Sequence, residues 1–417
     1  MEENNLLPKK FIEVSTRKLA SKNNPPKLSI KLTRLFVNLL ALPLIPLLFI
    51  LKKIWGIKFV RVRGERIGHL AGNTEVFLRR IKLGLEDPKM KPIGITGKKL
   101  SNEQLFKMFK REMRMIQYPQ SKYLKGLLHL FLKHTILSRL NLVEDFNWWN
   151  KDLYYELNNC SPCINFTEEE EIKGKQFLQK IGINDKPFIC FHARDSSYLN
   201  SQWTKGDDYH SHRNCSIDNY MKAVDYLAGK GLFMLRVGSV VEEKIINENK
   251  KIVDYATKYR NDFADIYLPA KCKFFLGNTA GFFMVSTIFN VPVAFANAIP
   301  LVNPPLGKDD LFIPKKLWSL KDNRFLTFKE IINSNIINFN KYDFEKADIN
   351  VIENTPQEIL DLAIEMNQRL DGNWETTGED EQLQAKYKSL FPKNSVCYGF
   401  SSQIGALFLR KNKQLLE

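Results

Sequence analysis

The stretch FICFHARDSSYLNSQWTKGDDYHSHRN, from Phe188 to Asn214, carries the densest polar chemistry of the 417-residue chain. Its four opening residues are apolar and follow a proline, which is typical of a buried strand. His192 and Arg194 come directly after that run, and three of the chain's six histidines lie in the whole stretch. Open parallel sheets bind ligands where their strands end. We therefore predict a parallel strand that ends in a binding site, rather than an ordinary solvated loop.

Downstream of this stretch, apolar runs of strand length alternate with segments of helical period. A helix is predicted from about Asp218 to Gly229, because apolar residues recur along one helical face. The predicted strands around it are Phe188–Phe191, Leu232–Val237, Phe274–Leu276 and Pro292–Ala296, with Phe263–Leu268 as a further candidate. This alternation predicts an α/β domain with a mostly parallel sheet.

A separate strand–helix unit precedes that domain. Ile57–Val62 alternates apolar and basic residues as a strand does, and Pro92–Thr96 is predicted as the next strand. Between them, three glycines including Gly68 mark a strand-to-helix turn. Their spacing differs from G-x-G-x-x-G, so a dinucleotide-binding fingerprint is not supported. Ser101 is predicted to begin a capping box for the helix that follows.

The length of the chain allows two domains, each with its own core. The acidic run Glu168–Glu171 and the CxxC pair before it are predicted to connect the domains. A helix after Thr355 and a closing helix from Gly399 to Leu415 are predicted for the tail. We expect a basic arm with a membrane-associated hydrophobic segment over 1–55, an N-terminal domain over 56–170, a second domain over 171–350, and C-terminal helices packing back on the body over 351–417.

The formal net charge of +16 requires an explanation in terms of a partner or a surface. Phosphate-bearing ligands, nucleic acid and anionic lipid are the physical candidates. Nucleic acid is disfavoured, because the basic residues are not interleaved with aromatic residues and no known binding module is present. Cys160 and Cys163 form a CxxC without the second pair that a zinc site needs. The scattered cysteines are typical of reduced thiols in a cytosolic compartment.

The segment Leu35–Leu51 contains 17 residues without a charge, between Arg34 and the pair Lys52-Lys53. As a helix it would span about 25 Å, slightly less than a bilayer core of about 30 Å, and its two prolines would kink it. A secretory signal is disfavoured, because no small-residue cleavage site follows. A buried core helix stays open as an alternative, but we favour a membrane-embedded segment, spanning or re-entrant, with the body in the cytosol.

Several motifs resemble those of a family of bacterial glycosyltransferases linked to surface-polysaccharide synthesis. They are RIGHLAGNTE, FHARDSSYL, HSHRNCSIDNYMKAVDYLAGKGLFMLRVG, IVDYA, FADIYLPAKCKFFLGNTAG and IGALFLRKN. A more distant resemblance is to the fucosyltransferase superfamily, in which a His-x-Arg strand end faces the donor diphosphate. Both resemblances imply a GT-B fold, with two Rossmann-like domains facing a cleft. The hydroxyl residue that the resemblance leads us to expect before Gly281 is replaced here by Ala280.

The resemblance implies a transferase that moves a sugar, of hexosyl or deoxyhexosyl type, from a nucleotide-sugar donor to a surface polysaccharide or lipid-linked glycan. Together with the hydrophobic segment, it leads us to expect a bacterial inner-membrane protein, and the basic excess and the reduced cysteines favour a catalytic body on the cytoplasmic side. The alternative is an inactive protein that binds a nucleotide sugar or carbohydrate at the membrane. No cofactor is expected. No Asp-x-Asp motif for a metal is present, and the adjacent pairs Asp207-Asp208 and Asp309-Asp310 would point to opposite sides of an extended segment.

Transfer from a diphosphate donor requires positive charge and hydrogen-bond donors, because negative charge grows on the leaving group. The residues predicted to bind the donor are His192, Arg194, Arg213, Asn214, Arg236, Gly238, Asn278, Thr279 and Gly281. His69 is the first candidate for the base that takes the acceptor's proton, and Asp195 is the second. Structural roles stay open for both, since His69 also fits a turn-holding role and Asp195 an ion pair with Arg194.

Overall fold

The computed structural model describes residues 28–119, 136–147, 153–195, 208–241, 244–393 and 397–417, with single positions 121, 123, 124, 126, 128 and 395. Residues 1–27 of the predicted basic arm, and the acidic residue Asp207, lie outside this described part. Three sheets organise it, and two of them are wholly parallel. The α/β architecture predicted from the sequence is therefore confirmed.

The N-terminal domain is built on a four-stranded parallel sheet of order β3-β2-β1-β4. Its strands are β1 (Ile57–Arg61), β2 (Lys91–Gly97), β3 (Arg114–Tyr118) and β4 (Val143–Glu144). The helices before and around this sheet are α1 (Leu28–Ala41), α2 (Leu44–Trp55), α3 (Ile67–Lys82), α4 (Glu103–Glu112), α5 (Ile136–Arg139) and α6 (Leu153–Asn159). Helix α3 follows β1 directly, so its first turn lies at the carboxyl end of a central strand.

The second domain is built on a seven-stranded parallel sheet of order β14-β10-β9-β8-β5-β6-β7. Its strands are β5 (Phe188–Phe191), β6 (Phe233–Arg236), β7 (Ile252–Asp254), β8 (Phe275–Gly277), β9 (Val293–Ala298), β10 (Leu311–Pro314) and β14 (Gln403–Ile404). The helices between them are α7 (Glu168–Lys180), α8 (Asp218–Gly229), α9 (Tyr255–Lys258), α10 (Ala264–Lys271) and α11 (Phe283–Ile288). The predicted strand Phe188–Phe191 is β5, in the interior of this sheet and buried along its whole length.

A small antiparallel sheet and the last helices complete the second domain. The sheet has the order β12-β11-β13, with β11 (Lys316–Ser319), β12 (Arg324–Phe325) and β13 (Ile349–Ile352). The helices are α12 (Phe328–Asn333), α13 (Lys341–Lys346), α14 (Pro356–Leu370), α15 (Gly378–Ser389) and α16 (Ala406–Lys411). Helix α14 begins with the predicted capping box of Thr355 and Glu358. The tail also supplies β14 to the large sheet, so it does more than pack helices on the body.

Three local predictions are wrong. Phe263–Leu268 lies mostly in helix α10, where its continuous apolar run reflects burial on all sides. The acidic run Glu168–Glu171 is the first turn of α7, where carboxylates complement the helix dipole, and its predicted place in the connection between the domains stays a prediction. Asn102, not Ser101, caps α4 by accepting from Leu105 N. Strand β14 and two short helical turns replace the closing helix predicted from Gly399.

The hydrophobic segment at the N-terminus forms two helices, α1 and α2. Within the described residues, no single helix is long and apolar enough to cross a bilayer. Leu35–Ala41 and Leu44–Trp55 meet that test only as a pair, by length and composition, and they are bent by 55°. The bend falls at Pro43, as predicted from the helix-breaking effect of proline.

The two domains share a packed boundary formed by α3 and α11. An ideal Cβ on Gly68 would lie 2.8 Å from the Cα of Gly281, so the backbones of the two helical entries touch. Farther along α3, the buried Arg79 donates to Ile288 O at 2.6 Å and to Asn290 Oδ1 at 2.9 Å. Apolar residues of both domains form one continuous cluster around this contact. Because α3 carries the first turn after β1, this packing fixes the N-terminal wall of the cleft.

Candidate functional site

A cavity of about 230 Å³ lies in the cleft between the two domains. The N-terminal domain contributes the entry of α3. The second domain contributes the segments that follow β5, β6 and β8, which is the edge where parallel strands end. The residues around the cavity are Arg66, Ile67, Gly68, His69, His192, Arg194, Asp195, His210, Arg213, Gly238, Ser239, Val240, Thr279, Ala280, Gly281, Phe282, Phe283, Met284, Phe295, Asn303, Pro304 and Leu306.

Most of the predicted site residues meet at this cavity. His69 lies on the N-terminal wall, and His192, Arg194, Asp195, Arg213, Gly238, Thr279 and Gly281 line the opposite side. The prediction that His69 and Arg194 face one cleft from opposite domains is therefore confirmed. Asn214, Arg236 and Asn278 do not line the cavity. The chemical roles that we predicted for all these residues stay predictions.

Arg194 and Arg213 form the cationic part of the cavity wall. Arg194 Nη1 donates to His210 O at 2.9 Å and to the side chain of Asn214. Arg213 Nη2 donates to Thr279 O at 2.9 Å, and its Nε is buried without a hydrogen-bond partner among the described residues. Burial, followed by the charges of Arg194 and Arg66, lowers the pKa of Arg213 to about 9. Both guanidiniums are thus held by neutral oxygens, an arrangement that favours an incoming anion.

Asn278 holds the backbones of Arg194 and Arg213 in place through its side-chain amide. Its Oδ1 accepts from Arg194 N at 3.1 Å, and its Nδ2 donates to Arg213 O at 3.0 Å. The side chain is fully buried. The predicted direct contact of Asn278 with the donor is therefore replaced by a positioning role, because both ends of its amide are already used.

Asn214 supports the side chain of Arg194 and is itself held by Lys315. Its Oδ1 accepts from Arg194, and its backbone O accepts from Lys315 Nζ at 2.6 Å. Lys315 is buried, and that burial lowers its pKa. Sequence reasoning missed Lys315, since it lies about a hundred residues downstream of the motif it supports and follows strand β10 without any polar cluster.

Arg236 is a correction to the predicted donor-binding set. It lies at the end of β6, opposite Asp254 in the neighbouring β7, and the two side chains form a buried ion pair at 3.6 Å. The guanidinium is therefore used to neutralise a carboxylate within the sheet. Its charge still lowers the pKa of His192, after the larger effects of burial.

His192 presents a neutral ring to the cavity. Its Nδ1 lies 2.9 Å from Val237 O, and since a carbonyl oxygen only accepts, Nδ1 carries the proton. Burial lowers the pKa of the ring, and the charges of Arg236 and Arg194 act in the same direction. The Nε2 atom therefore has a lone pair and no proton at neutral pH. A hydroxyl group is a better partner for it than a phosphate oxygen, which only accepts.

His69, in the first turn of α3, is also neutral at pH 7. Burial, and then the charges of Arg63 and Arg66, lower its pKa to about 4. Its Nδ1 is buried and has no hydrogen-bond partner in the described part of the chain. A neutral imidazole can accept a proton, which is the first requirement for a base. Asp195 lines the same cavity and is the second predicted candidate.

The turn after β8 contacts the arginines through its backbone. Thr279 O accepts from Arg213, while Thr279 Oγ1 accepts from Ile299 N at 3.2 Å. Ala280 occupies the position where we expected a hydroxyl, and it lines the cavity with a methyl group. Helix α11 begins only at Phe283 and has six residues. The predicted contacts of Thr279 and Gly281 with the donor stay predictions.

Part of the cavity lining is apolar, and this part was not predicted. It consists of Phe282, Phe283, Met284, Phe295 and Leu306. Phe282, Phe283 and Met284 belong to the apolar run at the domain boundary, and Phe295 belongs to strand β9, so an apolar pattern alone indicates core positions for them. Arg66 was likewise missed, although it directly precedes the Gly68-His69 turn. The cavity lining thus combines cationic and aromatic side chains.

No protein-family model matches the chain, and no curated protein matches it. Among solved structures, it is similar to a glycosyl transferase family 9 protein from Veillonella parvula, with 13% identity over 62% of this chain and 86% of that chain, at a TM-score of 0.41. It is similar to ADP-heptose LPS heptosyltransferase II from E. coli, with 13% identity over 75% of this chain and 99% of that chain, at a TM-score of 0.46. It is also similar to the iron-containing dodecameric glycosyltransferase TibC from E. coli, with 9% identity over 75% of this chain and 76% of that chain, at a TM-score of 0.35. At these identities and TM-scores the similarities assign no activity, so the function is argued from the cavity itself.

Proposed function

We propose that this protein is a glycosyltransferase that binds a nucleotide-sugar donor in the cleft between its two domains. The observation that carries the proposal is Arg213, a half-buried cation whose buried Nε lacks a partner among the described residues and whose neighbours include two further arginines. Holding such charges together without an anion is unfavourable. A diphosphate supplies the missing negative charge and the oxygen acceptors that guanidinium groups bind in pairs.

The cavity lining offers groups for the two chemical parts of such a donor. The cationic residues Arg194 and Arg213 suit the diphosphate. The aromatic residues Phe282 and Phe295 suit a flat base or the less polar face of a sugar ring. His192 Nε2, as an acceptor beside the arginines, suits a hydroxyl of the donor.

In the transfer step, the acceptor's hydroxyl oxygen forms a bond to the anomeric carbon of the donor sugar. The bond from that carbon to the diphosphate oxygen breaks, and its electron pair leaves with the nucleoside diphosphate. The arginines stabilise the growing negative charge. The acceptor's proton goes to a base on the cavity wall, for which His69 is our first candidate and Asp195 our second. Charge compensation by arginines is the reason that we propose a metal-independent reaction.

We place the acceptor entry at the N-terminal wall, around His69, and propose a glycan or lipid-linked acceptor. A sugar of hexosyl or deoxyhexosyl type is proposed from the sequence resemblance. The same resemblance underlies the proposed location at the bacterial inner membrane, with the catalytic body on the cytoplasmic side. Reduced cysteines are consistent with that side, since the six described cysteines are free thiols.

The test is a screen of the purified full-length protein against nucleotide sugars, with melting temperature and release of nucleoside diphosphate as readouts. We expect one donor to raise the melting temperature and to be turned over. Arg194→Ala should weaken donor binding by a few kcal/mol, and Arg194→Lys should restore only part of it. The matched control is Arg324→Ala, since Arg324 is an exposed residue paired with Glu330.

Each outcome of the screen decides between functions. Binding with release of nucleotide supports the glycosyltransferase. Binding without turnover, across acceptors of glycan and lipid-linked type, would instead establish an inactive nucleotide-sugar-binding protein. If no nucleotide sugar or nucleoside diphosphate shifted the melting temperature, the assignment of Arg194 and Arg213 to a diphosphate site would be wrong.

A further inference from the structure

Helices α1 and α2 carry a large apolar face that the protein body leaves uncovered. Twelve large apolar side chains of the pair and its connecting turn are more than a third exposed, and they are Leu32, Leu35, Phe36, Leu39, Leu40, Leu42, Leu44, Leu47, Phe49, Ile50, Ile54 and Trp55. Isolated exposed leucines are ordinary in folded proteins, but so many within one helix pair mark an interaction surface. We call these twelve side chains the apolar face.

The opposite side of the same helix pair is fixed to the N-terminal domain. Asn38 Oδ1 accepts from Ile136 N at 3.0 Å, and Lys52 Nζ donates to Asn141 O at 3.0 Å. Ala41 is fully buried against a small cluster that includes Leu137 and Leu142. Contacts near the middle of the pair and near its end therefore keep both helices along the body, with the apolar face turned outward.

Basic residues surround the end of the apolar face. Lys53 is exposed in the last turn of α2, beside Trp55. Lys89 and Lys91 are exposed as well, and their backbones meet the residue after Trp55: Lys91 N donates to Gly56 O at 2.8 Å, and an ideal Cβ on Gly56 would lie 2.1 Å from Lys89 O. Lysines next to a tryptophan at the edge of an apolar face complement anionic lipid headgroups.

We propose that α1 and α2 form a one-sided membrane anchor that lies in the plane of an anionic phospholipid bilayer. The apolar face enters the boundary between headgroups and acyl chains, and the lysines at its edge contact the headgroup phosphates. Both ends of the pair then stay on the same side of the membrane. This inference concerns a surface separate from the cleft and stands independently of the proposed sugar transfer.

The first test is flotation of the purified full-length protein with vesicles. Binding is expected to phosphatidylcholine vesicles that contain phosphatidylglycerol, and to be much weaker with phosphatidylcholine alone. Leu47→Asp or Phe49→Asp should reduce binding by roughly tenfold or more, the scale of one lost apolar insertion. Ile246→Asp is the matched control, because Ile246 is 96% exposed in the second domain and lies outside the apolar face.

The lysines are tested by Lys89→Glu combined with Lys91→Glu, which should weaken binding only when phosphatidylglycerol is present. All variants should keep the melting temperature of the wild-type protein, which shows that the body is folded. Unchanged binding of Leu47→Asp and Phe49→Asp would overturn the proposal, whether the remaining attraction came from the arm over 1–27 or from another surface. A protein that stays off both kinds of vesicle and instead forms a detergent-sensitive dimer would also overturn it.

The second test separates an in-plane anchor from a span. Epitope tags at both termini of the full chain are exposed to protease in inside-out and right-side-out membrane vesicles. We expect both tags to be digested in the same preparation and both to be protected in the other. Digestion of one tag in each preparation would show that the segment crosses the membrane, and would overturn the in-plane arrangement.

Discussion

Gly68 and Gly281 touch across the boundary between the two domains, with only 2.8 Å available between a Cβ on the first and the Cα of the second. Both residues line the cavity, so a close backbone contact of the domain boundary is also part of the site. A side chain at either position would collide with the backbone of the other residue, so the two helical entries would have to move apart. The width of the cleft at this point is therefore set by the absence of two side chains.

Gly68→Ala should destabilise the protein by about 1–3 kcal/mol, the usual cost of inserting a methyl group into a packed contact. Urea unfolding measures the change, and donor affinity should fall with it because α3 moves away from α11. Gly229→Ala is the control, since a Cβ there has no neighbour within 4 Å and alanine favours the helix by up to about 1 kcal/mol. Equal stability of the two variants would show that the domain contact yields without cost.

Arg213→Met should stabilise the ligand-free protein while it abolishes the rise in melting temperature caused by a nucleoside diphosphate. The reason is that a buried, partnerless Nε costs about 1–3 kcal/mol until an anion arrives. Arg324→Met, at an exposed ion pair, should change neither quantity measurably. A large loss of stability in Arg213→Met would mean that the guanidinium is structural.

His69 is expected to make stability fall as the pH drops from about 6.5 towards 4. Its pKa in the folded protein is about 4, against 6.5 in an unfolded chain, so in this window only the unfolded state takes up the proton. His69→Asn should therefore remove up to one proton from the difference in proton uptake, measured by urea unfolding at several pH values. Burial of Asp265 and Asp310 raises their pKa values to about 6 and 7 and opposes this trend, so the comparison must be made between variants.

The proposed role of His69 as the base is tested by the kinetics of a variant. If it accepts the acceptor's proton, His69→Asn should lower kcat by roughly 100-fold or more with little change in donor affinity. The acid limb of the wild-type rate profile should then follow a pKa near 4, well below that of an ordinary histidine. A variant in which stability and donor affinity fall together with kcat would indicate a turn-holding role and leave Asp195 as the base to test.

His192 can be tested by two substitutions that each imitate one ring nitrogen. Asn places an amide near the position of Nδ1 and can keep the hydrogen bond to Val237 O, while it removes the acceptor at Nε2. We expect His192→Asn to retain the melting temperature and lose donor affinity by about tenfold, the worth of one hydrogen bond in a shielded site. His192→Gln should instead lower the melting temperature and retain donor affinity. Unchanged donor affinity in His192→Asn would exclude a hydroxyl contact at Nε2.

Arg79 should be among the most costly residues to remove. It is fully buried, pairs with Glu75 at 2.8 Å and donates to backbone oxygens of both sides of the domain boundary. Arg79→Met should destabilise the protein by about 3–5 kcal/mol, because Glu75 is left buried without its counter-charge. Adding Glu75→Gln to Arg79→Met should recover part of this loss in urea unfolding. No recovery would place the cost in the broken carbonyl contacts instead.

The strands and the polar cluster were predictable because each depends on local pattern. The apolar run Phe188–Phe191 followed by His192 and Arg194 indicated a strand end with a site, and the structure places both side chains at the cavity. The facing of His69 and Arg194 followed from parallel-strand topology in two domains. The domain boundaries at 56, 171 and 351 stay predictions.

What the sequence could not supply was pairing between distant side chains. Arg236 looks like Arg194 in sequence, since both follow an apolar strand. Only the register of β6 against β7 shows that Asp254 neutralises Arg236. Lys315 and the apolar residues of the cavity lining were missed for the same reason, because their neighbours are set by tertiary packing and not by spacing along the sequence.

The pairing of β14 with β10 has a consequence for synthesis on the ribosome. All four strands of the N-terminal sheet lie between Ile57 and Glu144, so this sheet can form while the rest of the chain is still being translated. The large sheet gains its edge strand only when Gln403 and Ile404 emerge. Until then β10 has an open edge that invites pairing with another nascent chain. A premature stop before Gln403 would leave that edge exposed, and such products should be aggregation-prone substrates for chaperones and proteases.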